Sequence, residues 1–186
     1  DIAYMRSIPN FTVLAPKDAA ELRDMVFTAI KESKGPVAIR FPRDKAIGAT
    51  ESGAPEVCLA RIIQPSKWEV LSEGIAVSGK KPVVVLAFGS MVEQMRLAIE
   101  SGKDEAKPML INARSAKPLD TELLADLIRA GHTSFITAEE GCLAGGFGTA
   151  VLEYMSTLGL EVALAAGKEL PRVFPIAVPD KFVEHG

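Results

Sequence analysis

Val83-Val84-Val85-Leu86-Ala87-Phe88-Gly89-Ser90 is the stretch that decides the fold. Its first six residues are all apolar, and a run without polar alternation reads as a strand covered on both faces. Gly89 turns the chain. Ser90 followed by Glu93 fits a capping box, in which each side chain bonds a free backbone N–H at a helix start. The following helix places Met91, Val92, Met95, Ala98 and Ile99 inward. Strand, turn and helix in that order open the alternation that builds a parallel sheet.

Toward the C-terminus the alternation repeats. Met109-Leu110-Ile111 reads as the next strand. Asp120 is an N-cap candidate, with Leu119 and Leu124 placed as a hydrophobic staple. The helix after it buries Leu123, Leu124, Leu127 and Ile128 and ends near Gly131. Ser134–Ala138 is a third strand. Glu139-Glu140-Gly141 and a glycine-rich turn then open a helix carrying Phe147, Val151, Leu152, Met155 and Leu158. Val173–Val178 is a late strand, and its Pro175 suits a sheet edge, where a missing N–H is tolerated.

Toward the N-terminus the pattern first weakens. Gly, Pro, Ser and mixed charges dominate from Ile47 to Lys81, which reads as an interdomain linker. Before it, Thr12-Val13-Leu14 is a short strand, Lys17 to Ser33 a helix, and Val37–Phe41 another strand. Leu22, Met25, Val26, Ala29 and Ile30 share one face of that helix. This β-α-β unit is too small for a complete α/β domain. The expected class is α/β. Residues 1–50 end one domain, 51–81 link, and 82–186 form an open, mainly parallel sheet flanked by helices.

Composition narrows the function. The 186 residues are 48% hydrophobic and 24% charged, which is enough apolar matter for a core. A net charge of −3 gives no case for nucleic acid or an anionic membrane. No apolar run reaches the roughly 18 residues that span a bilayer. The opening Asp1-Ile2-Ala3-Tyr4 has no Met, basic region or apolar leader, and reads as an internal start. Cys58 and Cys142 stand far apart, and no CxxC or HxxxH spacing occurs. Reduced thiols, with neither a disulfide nor a metal site, are the expectation.

Five constellations could carry chemistry. Arg40-Phe41-Pro42-Arg43 follows directly on a strand, and in open α/β sheets ligands gather at the carboxyl ends of strands. An arginine there can hold a phosphate through paired, charge-assisted hydrogen bonds. The alternative is a surface arginine, or an ion pair with Asp44 or Glu51. Gly145-Gly146-Phe147-Gly148 precedes a helix and could admit an anion, but it is neither a dinucleotide fingerprint nor a Walker loop. A tight turn is the simpler role. Glu139-Glu140 could be an acid/base pair, or two carboxylates on opposite strand faces serving caps or interfaces. Arg114 and Lys117 could approach an active site, or form interdomain salt bridges. His132 and His185 have no ligand spacing, and no nucleophile–base–acid set is visible.

Several segments together resemble one family. These are Asp1-Ile2-Ala3-Tyr4-Met5-Arg6-Ser7-Ile8-Pro9-Asn10, Val13-Leu14-Ala15-Pro16-Lys17-Asp18, Gly35–Arg43, Lys117-Pro118-Leu119-Asp120, Glu139-Glu140 with Gly145-Gly146-Phe147-Gly148, and Pro179–Gly186. In this order, through almost the whole chain, they are similar to the 1-deoxy-D-xylulose-5-phosphate synthase family of transketolase-like enzymes. The resemblance implies three domains per subunit. The first binds the diphosphate of thiamine diphosphate with Mg2+. The second holds its aminopyrimidine and supplies an activating glutamate. The third is a transketolase-type C-terminal domain. This chain would hold the end of the second and most of the third, with the main cofactor-binding segments and catalytic residues outside it.

The implied reaction joins pyruvate and D-glyceraldehyde 3-phosphate into 1-deoxy-D-xylulose 5-phosphate and CO2, a precursor of isoprenoids, thiamine and pyridoxal. Arg43 matches the family arginine that binds the aldehyde's phosphate, and Arg40 is a supporting residue. Further implied are a homodimer through the C-terminal domain, a bacterial cytoplasm or plastid stroma, and no activity for this chain alone. Two departures stand out. The family's Tyr-Pro-Arg-Gly is here Phe41-Pro42-Arg43-Asp44, which sets a carboxylate beside Arg43, and the stretch from Ala166 to Val178 diverges. The competing expectations are a transketolase or 2-oxoacid dehydrogenase β subunit, which share this C-terminal fold, and a non-catalytic dimerisation module.

Overall fold

In the computed structural model, which describes residues 1–43 and 59–181, the chain opens with helix α1 (Ile2–Ser7), capped by Asp1. Strand β1 (Thr12–Leu14), helix α2 (Ala19–Glu32) and strand β2 (Val37–Ile39) follow. β1 and β2 are parallel, with Thr12 opposite Val37, so the expected β-α-β unit is present. Asp18 caps α2 by accepting from the Glu21 N–H at 2.7 Å.

Strand β3 (Glu69–Ser72) lies inside the stretch expected to be linker. The remaining elements are β4 (Val84–Ala87), α3 (Met91–Ser101), β5 (Met109–Asn112), β6 (Ser115–Lys117), α4 (Thr121–Arg129), β7 (Ser134–Cys142), α5 (Phe147–Met155), α6 (Leu158–Ala165) and β8 (Arg172–Val178). Five strands make one sheet in the order β3-β5-β4-β7-β8. β5, β4, β7 and β8 run parallel, while β3 is antiparallel to β5. β8, with Pro175, is an edge, as expected. The second sheet has the order β2-β1-β6. Its β6 leaves the C-terminal half of the chain to pair antiparallel with β1.

Alternation along β4 explains the two-faced core, because successive side chains point to opposite sides of a sheet. Val84 and Leu86 join one cluster with Ile111, Leu124, Ile128, Phe147, Val151 and Met155. Val85 and Ala87 join the other with Val92 and Leu110, covered by Met95 and Ile99 of α3. At the carboxyl end Phe88 stacks on Phe147, ring centres 4.9 Å apart, and Trp68 meets Phe147 edge-on at 5.7 Å. Asp120 caps α4, with one oxygen 3.0 Å from the Leu123 N–H and the other 2.9 Å from the Trp68 N–H.

Three local expectations are overturned. Ser90 has helical backbone angles and makes no cap hydrogen bond. Glu93 turns instead to Arg96, a closer partner for a carboxylate than a backbone N–H. The buried residues of α2 are Glu21, Met25 and Thr28, while Val26 and Ile30 are 43% and 76% exposed. Polar anchoring overrides the apolar stripe here: Thr28 accepts the Ile63 N–H at 3.0 Å, and Glu21 faces charged partners on the C-terminal half. Finally, Leu158 begins a separate helix. The hydroxyls of Ser156 and Thr157 both donate to the Glu153 carbonyl, competing with the helical ladder and ending α5.

Candidate functional site

The site is built where β2 and β7 end. Arg40 leaves β2 with its backbone N–H on the Leu14 carbonyl at 2.8 Å. Its Nη1 donates to Glu140 Oε2 at 2.7 Å, and its Nε lies 3.8 Å from Asp1 Oδ2. Two residues singled out separately in the sequence are thus brought together across 100 positions. Arg43, beyond Phe41-Pro42, is exposed, and among the described residues no hydrogen bond or ion pair reaches it. Asp44, Glu51 and Cys58 lie outside the described residues, as does His185.

β7 runs past Ala138 through Glu139 and Glu140, so the two carboxylates fall on opposite faces. Glu140 reaches out to Arg40. Glu139 is buried and accepts the Phe147 N–H at 2.9 Å and the Gly148 N–H at 2.7 Å. It therefore caps α5, whose own N-cap residue, Gly146, has no side chain to do so. The glycines make room for it. A Cβ on Gly146 would collide with the Glu139 carboxylate and the Cys142 carbonyl, and Gly145 sits at φ 72° against Ala3. Arg6, which the sequence did not single out, clamps this turn. Its Nη1 donates to the Gly145 and Gly146 carbonyls at 2.8 and 3.0 Å, and its Nη2 to Glu153 at 2.7 Å.

Burial raises the Glu139 carboxyl above its ordinary value near 4.5, outweighing the two N–H donors and the nearby Arg6 and Arg40. A raised folded value means the native state holds the proton more tightly than the unfolded chain. Stability then falls as pH rises from 4.5 through the folded value, opposite to a paired surface carboxylate. Urea unfolding of the wild type and Glu139→Gln at pH about 4 to about 8 checks this. The wild-type advantage should shrink as pH rises; a constant or widening gap sinks the assignment.

A second polar cluster lies between α2 and the carboxyl end of β5. Glu21 Oε1 is 2.9 Å from Arg114 Nε, and its carboxylate also accepts from the Lys17 N–H and the Asn112 amide. Glu69 on β3 accepts from Lys17 Nζ at 2.8 Å and Arg114 Nη2 at 3.2 Å. Burial opposes both charges. Pairing prevails all the same, holding Lys17 above and Glu69 below its ordinary value. Arg114 is thus a salt-bridge residue between the two halves. Lys117 donates from Nζ to the Arg6 and Ile8 carbonyls at 2.8 and 2.7 Å, closing the end of α1. His132 is buried, with Nδ1 3.0 Å from the Pro82 carbonyl. Cys142 is a free, exposed thiol.

A diphosphate and its cation need free N–H donors and oxygen ligands. The glycine-lined start of α5 is filled by the chain's own carboxylate. Among the described residues no three His, Cys, Asp or Glu groups are placed to hold a metal ion. The start of α5 therefore has no free donor to offer a diphosphate. Among them, no helix is long and apolar enough to cross a membrane.

Comparison with known proteins follows these two halves. Residues 72–179 match the family described as transketolase, C-terminal domain, and residues 1–47 match transketolase, pyrimidine binding domain. Over 186 residues the chain is 41% identical to the 1-deoxy-D-xylulose-5-phosphate synthase of Thermus thermophilus. It is 41% and 37% identical over 187 residues to those of Brevibacillus brevis and Aquifex aeolicus. All of this chain is covered each time, and 26%, 27% and 26% of the relatives. The chain thus spans about a quarter of the length of these curated relatives and matches their C-terminal portion. A solved structure titled "Split gene transketolase, inactive beta4 tetramer" superposes with TM-score 0.70 at 32% identity, covering 96% of this chain and 52% of that one.

Proposed function

The chain belongs to the transketolase C-terminal domain family, and from that premise we propose that it serves as the C-terminal portion of a 1-deoxy-D-xylulose-5-phosphate synthase. The enzyme joins pyruvate to D-glyceraldehyde 3-phosphate with loss of CO2. Thiamine diphosphate supplies the carbanion chemistry, held with Mg2+ by segments other than those described here. In this reading residues 1–50 end the pyrimidine-binding domain and 82–186 form the C-terminal domain, to whose sheet the intervening stretch contributes β3. The enzyme is a homodimer in a bacterial cytoplasm or plastid stroma, and the 186 residues alone make no product.

The observation that carries the reading is the exposed Arg43 at the carboxyl end of β2, beside an Arg40 already neutralised by Glu140 and Asp1. Among the described residues no carboxylate reaches Arg43, which supports it as the cation that meets the aldehyde's phosphate. In the complete enzyme carrying this chain, Arg43→Ala should raise the KM for glyceraldehyde 3-phosphate and change that for pyruvate much less. A charge-assisted contact is worth roughly 1.5–3 kcal/mol, about one to two decades in kcat/KM. Equal losses toward both substrates would contradict the role.

The likeness to the split-gene transketolase structure favours a second reading, in which a separately encoded chain carries the cofactor domain. Tagged purification from the source cell distinguishes the two. A single polypeptide much longer than 186 residues supports the first; a stoichiometric partner supports the second.

A further inference from the structure

Arg40 and Arg43 lie three residues apart, yet only Arg40 has carboxylate partners among the described residues. Its side chain is 26% exposed and that of its partner Glu140 36%. The pair joins β2 of the small sheet to β7 of the large one. Between the arginines stands Pro42, whose ring fixes its own φ and restricts the residue before it. A segment so stiffened transmits the placement of Arg40 to Arg43. The backbone of Arg40 is fixed as well, through its N–H on Leu14.

We infer that Glu140 is a positioning residue: it anchors Arg40 across the sheet junction and so aims Arg43 at the phosphate of the acceptor substrate. The inference rests on the phosphate-binding reading of Arg43 and adds a residue from the other half of the chain to that site. Glu140 does not touch the substrate. It acts through Arg40, and it neutralises Arg40 so that the anion is directed to Arg43. Glu139, its neighbour, caps α5 on the opposite face and takes no part.

The test is a double-mutant cycle in the complete enzyme carrying this chain, with pyruvate and glyceraldehyde 3-phosphate varied in turn. Glu140→Ala should raise the KM for glyceraldehyde 3-phosphate by up to about fivefold, the range of a partly exposed ion pair. The KM for pyruvate should change less. Glu140→Gln, which keeps an acceptor, should fall between. Exchanging the charges, Arg40→Glu with Glu140→Arg, should recover most of the loss. In the Arg43→Ala background Glu140→Ala should add little. An unchanged acceptor KM, an equal effect on both substrates, or an undiminished effect without Arg43 overturns the inference. If Arg43→Ala itself leaves the acceptor KM unmoved, the phosphate-binding reading falls. A silent Glu140→Ala beside a damaging Arg43→Ala removes the positioning role alone.

Discussion

Glu21→Ala is expected to lower the unfolding free energy by about 3–5 kcal/mol, because it takes the buried carboxylate from a largely buried cation and leaves it only the part-exposed Glu69. Glu21 is only 5% exposed, and the Arg114 side chain facing it 13%. The substitution also removes the acceptor for the Lys17 N–H and the nearer acceptor of the Asn112 amide, which is left with Glu69 at 3.4 Å. Asn112 is itself fully buried, so its amide could not turn to water. In a chain of this size the loss corresponds to a fall in Tm of roughly 6–20 °C. Urea unfolding of both proteins measures it; a change below about 1 kcal/mol would show that solvent or Glu69 takes over the charge. Removing both charges, with Glu21→Met and Arg114→Met, should restore much of the stability. A buried pair replaced by apolar groups of similar volume is often neutral or better. Asn112 would keep only the longer bond to Glu69, so recovery should stop short of the wild type.

Phe147→Ala should cost about 3–5 kcal/mol. Phe147 is fully buried between Phe88 and Trp68, and it begins α5 with its N–H on Glu139. Its loss opens a cavity at the carboxyl end of the large sheet and loosens the cap of α5. Trp68 is the chain's sole tryptophan, so fluorescence reports this corner directly. The folded variant should show red-shifted emission as water reaches the indole, together with a lower urea midpoint. Unshifted emission with unchanged stability would mean that the neighbours close the gap, contrary to the packing described.

The strands of the large sheet were legible because their chemistry is local. The apolar run at 83–88 and the Pro in 173–178 each state a position in a sheet without help from the rest of the chain. Asp120 was legible as a cap for the same reason, since its acceptor and donor are three residues apart. The strand β3 was hidden because Glu-Val-Leu-Ser is mostly exposed and sits among turn-forming residues. β6 is three residues long, too short for any periodicity. The same distance limit governs the site. That Glu139 and Glu140 diverge follows from strand alternation. That Glu140 meets Arg40 and Glu21 meets Arg114 depends on contacts some 90 to 100 residues apart. Arg6 carried no signal of its own: its partners are mainly carbonyl groups, which every residue offers.

The pairing of β6 with β1 limits how members of this domain family can be recombined. Residues 82–186 look like a module that could be exchanged between relatives, yet Ser115–Lys117 completes a sheet whose other strands belong to the N-terminal region. A chimera joined near residue 81 would present the host's β1 with a foreign third strand. The join works where the incoming strand keeps the Val13–Lys117 register and a lysine able to close α1. Elsewhere it leaves β1 with a bare edge, the kind that invites pairing between molecules.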